Sequence, residues 1–75
     1  MPVAERVRDD RRGRAQRALT RSHVYDIRRL AVDRHDGNVV ISGSVSSFYF
    51  KQLAQELVLA EVGNTDQVRN EVEVD

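Results

Sequence analysis

The chain contains no cysteine. A disulfide framework, a thiolate metal site and thiol catalysis are therefore excluded, and any core must hold itself or be helped by self-association. No run approaches the roughly 18 apolar residues that a membrane-spanning helix needs. The opening Met1-Pro2-Val3-Ala4-Glu5-Arg6 has no apolar segment of the kind that starts a secretory signal. We therefore expect a cytoplasmic protein, periplasmic only if an upstream signal segment is missing. The four glycines are scattered, so there is no glycine-rich phosphate loop.

Ingredients for catalysis are equally scarce. A nucleophile needs a base beside it, and the base needs an orienting partner. The two histidines are His23, just past a first helix, and His35, at a hairpin tip where a rigid dry site is hard to build. Asp33, His35 and Asp36 carry metal-ligating atoms, yet neighbouring strand residues point to opposite faces and do not converge. The expectation is a protein that is not an enzyme, with no catalytic residues, no metal site and no cofactor.

What is present is globular composition: 75 residues, 40% hydrophobic and 32% charged. That length gives one small domain, read here as residues 10–75 behind a flexible arm over residues 1–9. The net charge of zero conceals a split: residues 1–35 carry +5, from ten arginines and five acids, and residues 36–75 carry −5. Such a split attracts an anionic partner to one end, pairs one copy with another, or cancels within the fold. The cationic side is almost purely Arg, whose planar fork suits phosphate and carboxylate.

Asp9 or Asp10 can cap a first helix running to about Ser22. Ala15, Ala18, Leu19 and Ser22 fall on one narrow face, and Arg14, Arg17 and Arg21 share another. Leu30 and Val32 then alternate with Arg29, Ala31 and Asp33, the period of a half-buried strand. Asp36-Gly37 marks a hairpin turn, and Val39-Val40-Ile41-Ser42 is the return strand. Gly43 ends or bulges it and is expected to let the strand pass close to a helix.

Ser46 or Ser47 caps a second helix to about Glu61, with Phe50, Leu53, Ala54, Leu57 and Val58 as its core stripe. Phe48 and Leu59 lie nearly opposite that stripe, and Phe48 is a candidate staple for the entry turn. Val68, Val72 and Val74 alternate with Arg69, Glu71 and Glu73 as a last strand with one apolar face. The order αββαβ predicts an α+β fold, two helices packed on one face of a three-stranded mixed sheet. A right-handed crossover through the second helix makes the second and third strands parallel. The sheet is a split βαβ if the first strand lies between them.

Leu30-Ala31-Val32, then Asp36-Gly37-Asn38-Val39-Val40-Ile41-Ser42-Gly43-Ser44-Val45, then Val68-Arg69-Asn70-Glu71-Val72-Glu73-Val74, together resemble the BON domain. This is the bacterial domain of osmotic-stress, secretin, haemolysin-like and nodulation proteins. The resemblance covers about residues 14–75 and departs where the family has a Gly-Val pair and this chain has Asn64-Thr65. Within the motif, Gly37 suits a turn position with positive φ. Asn70, on the face of Val68 and Val72, is expected to be buried and bonded to the backbone of the Asn64–Gln67 loop.

The resemblance implies a phospholipid- or surface-binding module. Arg14, Arg17 and Arg21, joined by Arg28 and Arg29, form the coherent polar patch suited to lipid headgroups. Each basic residue near an anionic leaflet contributes about 1 kcal/mol. Nucleic acid is disfavoured, because only Tyr25 is near enough to stack and the acidic half would repel a phosphate backbone. The alternative is a protein–protein or self-assembly module forming a homo-oligomer. A lesser one, also implied by the family, is potassium or small-ligand binding.

Overall fold

The computed structural model describes residues 11–63 and 67–75. The expected arm over residues 1–9, the caps Asp9 and Asp10, and the Asn64-Thr65 departure lie outside the described residues.

Helix α1 (Arg11–Thr20) buries Ala15 and Leu19 completely, the two apolar residues one turn apart on its inner face. It ends two residues before Ser22, because Ser22 turns its hydroxyl to accept the Val24 N–H at 3.0 Å. A single-turn helix α2 (Tyr25–Arg28) follows, immediately ahead of the alternating stretch. Its buried Ile27 anchors it, and Arg29 is its C-terminal cap rather than part of a strand.

Strand β1 (Ala31–His35) runs antiparallel to β2 (Asn38–Ser42), with His35 opposite Asn38. The turn residues Asp36 (φ 52°) and Gly37 (φ 81°) both take positive φ, as the two-residue hairpin of this hand requires. Strand β4 (Gln67–Asn70) pairs parallel with the other side of β2, giving the order β1-β2-β4. The second strand, not the first, is therefore central. The residues explain this: β2 is apolar on both faces through Val39, Val40 and Ile41. By contrast β1 carries Asp33, Arg34 and His35, all exposed and suited to an edge.

The last apolar run is split into β4 and β5 (Glu73–Val74), and β5 pairs parallel with β3 (Ser44–Val45). Partners are offset by the same 29 positions in both pairs, Asn38 with Gln67 and Ser44 with Glu73. Across the break the N–H groups of Glu71, Glu73 and Asp75 donate to the carbonyls of Ile41, Gly43 and Val45, each at 2.9 Å. This is one ladder, bent at Gly43. There φ is +127°, and an added Cβ would lie 2.7 Å from Leu30 Cδ2. The close neighbour is thus Leu30, ahead of β1, rather than a helix.

Helix α3 (Phe48–Val62) is capped by Ser47, whose Oγ accepts the Phe50 N–H at 3.2 Å. It stops at Gly63, in positive φ, whose N–H returns to the Leu59 carbonyl. Its buried residues are Ala54, Val58 and Val62, while Phe50, Leu53 and Leu57 are only half-buried. The inward face is rotated toward Val62 because α3 must meet β4 and β5 as well as α1. Phe48 staples nothing and is 66% exposed. Val74 is also exposed, so the last strand's apolar face ends at Val72.

Candidate anionic-surface site

The cations of α1 separate into two groups with different work. Arg12 and Gln16, one turn apart, lean over β1. Arg12 Nη1 donates to the Val32 carbonyl at 3.1 Å. The Gln16 amide donates to the Leu30 carbonyl at 3.0 Å and accepts the Val32 N–H at 2.9 Å. Helical spacing puts Arg14 and Arg17 on another side of the same helix, and Arg21 follows in the turn just past its end. Arg14 is half-buried, and Arg17 and Arg21 are exposed.

Arg28 and Arg29 belong to α2 and its cap, not to the α1 stripe. The structure brings them together on one ring: their guanidinium carbons lie 5.6 and 5.4 Å from the centroid of Tyr25. That ring is 60% exposed, so cationic forks and an amphipathic aromatic share one outward surface. The turn is held by Asp26, which accepts from the Ser46 N–H at 2.8 Å and the Ser46 hydroxyl at 2.7 Å. Those two bonds, with the nearby Arg29 charge, hold the Asp26 carboxyl below its ordinary value of 3.8. Sequence reasoning missed this tie. Ser46 was visible as a capping candidate, but the cap is Ser47, which leaves Ser46 for Asp26.

The structural residues of the motif take distinct places. Gly37 makes the hairpin turn and Gly43 the bend. Asn70 is half-buried, and its partners among the described residues lie in α3 and at Val72; the loop residues 64–66 expected to hold it lie outside the described residues. Its Nδ2 donates to the Lys51 carbonyl at 2.9 Å and to Gln55 Oε1 at 3.2 Å, and its Oδ1 accepts the Val72 N–H at 3.2 Å. One amide therefore fixes the helix to the sheet.

The sheet face away from the helices mixes both signs. Register aligns Asp33, Val40 and Arg69 in one row. An open depression of about 520 Å³ is floored by Val40 and walled by charged side chains of β1 and β4. Arg69 Nη2 meets Glu71 Oε2 at 2.6 Å there, and His35 Nε2 meets Asp36 Oδ2 at 3.4 Å at the turn. Among the described residues no three His, Asp or Glu side chains gather to hold a metal ion. No described helix is long and apolar enough to cross a membrane. Compared with known proteins, the chain matches no protein-family model, no curated protein and no solved structure.

Proposed function

We propose that this protein is a non-enzymatic, BON-type binding module that docks on anionic phospholipid through Arg14, Arg17, Arg21, Arg28 and Arg29. The observation that carries the reading is the Tyr25 ring, exposed and flanked by two guanidiniums on a turn held by Asp26 and Ser46. Arg forks match phosphate oxygens, and a tyrosine suits the boundary between headgroup and acyl chain. The α1 stripe adds charge but no apolar wedge, so the contact is docking rather than insertion. The family resemblance of residues 14–75 points the same way.

Vesicle co-sedimentation tests the reading. The protein should pellet with vesicles rich in an anionic phospholipid and remain in solution with neutral ones. Raising salt should release it, since surface attraction is screened over about 8–10 Å near physiological ionic strength. Changing Arg14, Arg17 and Arg21 together to Gln should weaken sedimentation strongly while leaving the fold intact, seen as an unchanged circular-dichroism spectrum. Equal binding to neutral and anionic vesicles, or full binding by the triple variant, would sink the proposal.

A further inference from the structure

The sheet has two edges, and they are finished differently. At β1 the outward backbone groups of Leu30 and Val32 are taken by Gln16 and Arg12. At β4 no strand among the described residues lies on the outer side. The N–H groups of Glu71, Glu73 and Asp75 point inward to β2 and β3, so by strand alternation those of Val68, Asn70 and Val72 point outward. The Val72 N–H confirms the parity, since it meets the Asn70 side chain and not β3.

We propose that this edge pairs antiparallel with the same edge of a second copy, across a two-fold axis at Asn70. Three independent features meet in that register. The residues that exchange backbone hydrogen bonds are Val68 with the partner's Val72, and Asn70 with the partner's Asn70, all of them outward-facing. The intervening pair sets Arg69 opposite the partner's Glu71, and Glu71 opposite the partner's Arg69. Such non-hydrogen-bonded pairs bring side chains closest, and opposite charges there are favourable. In one chain alone these two side chains already meet at 2.6 Å, both about half exposed. The symmetric arrangement therefore closes a square of alternating charge.

The third feature lies on the helix layer. Phe48, Gln55 and Leu59 recur at helical spacing on one flank of α3, and Gln55 marks that flank as the one beside Asn70. Being the crossover helix, α3 runs opposite to β4. The same two-fold therefore carries its first turn against the partner's last, with Phe48 facing the partner's Leu59. This places the exposed Phe48 ring in contact, and it gives a use to an apolar Leu59 outside the core stripe. The Val72 N–H leaves Asn70 Oδ1 for the partner's Val68 carbonyl, while Asn70 Nδ2 stays on Lys51.

Molar mass of the full chain against concentration reads the association, with charge exchange as its control. The wild type should approach twice the 8.6 kDa of one chain, and Arg69→Glu or Glu71→Arg alone should weaken association at least tenfold. The double variant Arg69→Glu with Glu71→Arg should restore it, because the sign pattern across the axis is then merely inverted. Should a single variant fail to fold, an equimolar mixture of Arg69→Cys and Glu71→Cys chains replaces it. Since the chain has no other cysteine, the mixture should oxidise to a linked pair faster than either variant alone. A wild type that stays monomeric up to about 1 mM, where even an association of about −4 kcal/mol would be populated, overturns the proposal. So does a dimer indifferent to the single changes, a double change that fails to restore it, or a mixture that links no faster than its components.

Discussion

The β1 and β4 edges of the sheet are each one strand from the centre, yet a helix meets the outward groups of one and a single side chain meets one outward amide of the other. At β1, α1 supplies Arg12 and Gln16 from a different part of the chain. At β4, Asn70 covers the amide two residues ahead of it on its own strand. An edge closed by a distant element stays closed only while that element is docked. An edge closed locally opens by one side-chain rotation. The difference teaches that polar residues of an amphipathic helix are part of the sheet's finish, not only its solvent coat.

The largest way to break this contrast is to undock α1. Leu19 is fully buried in its last turn, and Leu19→Ala should cost about 2–5 kcal/mol. A domain this small has little more than that to lose. The melting midpoint should fall steeply, and the Val32 amide should exchange faster than the amides of β2. An unchanged midpoint would mean that α1 contributes little to the core.

A smaller change sharpens the comparison by opening β1 alone. Gln16→Leu leaves two backbone groups of β1 without their partner and should cost about 1–3 kcal/mol. With both edges open, chains should also link into species larger than a dimer, seen as molar mass rising continuously with concentration. The smallest effect touches neither edge. The Asp26 carboxyl is held below 3.8 by Ser46. Its contribution is therefore present above that pH and is lost as pH falls through the lowered folded value. Ser46→Ala should flatten the acid limb of the melting-midpoint profile and leave edge-amide exchange unchanged. An acid limb identical to wild type would show that the Ser46 hydroxyl bond contributes nothing to stability.

Much of this was legible in the residues, and the misses have physical causes. Asp36-Gly37 and Ser47 announce a turn and a cap through purely local chemistry, and both stand where the pattern put them. The burial of Leu30, Val32, Val39 and Ile41 follows the same way from alternation. Leu57 disappoints because a helix serving two neighbours has a broader, rotated inner face than its apolar count implies. The turn α2 is too short for periodicity to register. The work of Arg12 and Gln16 depends on which strand is the edge, and the hairpin leaves that undecided. Of the candidate site, the five arginines were named from charge alone. The gathering of Arg28 and Arg29 about Tyr25 depends on the short turn α2, and the Asp26 bonds to Ser46 reach across 20 residues, which no local pattern encodes.

The bent ladder has a consequence for how the chain can change length. Because both halves share one offset of 29 positions, they behave as a single reading frame. One residue inserted between Asn70 and Glu73 would leave the first half in step and throw the second out. Val72 would then turn to solvent, and a charged neighbour would take its place in the core. Paired insertions on both strands would be needed to restore the frame, and Gly43 occupies the position where the second would fall. Lengthening should therefore be tolerated at the Asp36-Gly37 turn, where nothing downstream is counted against it, and refused within the paired stretches Asn38–Val45 and Gln67–Val74.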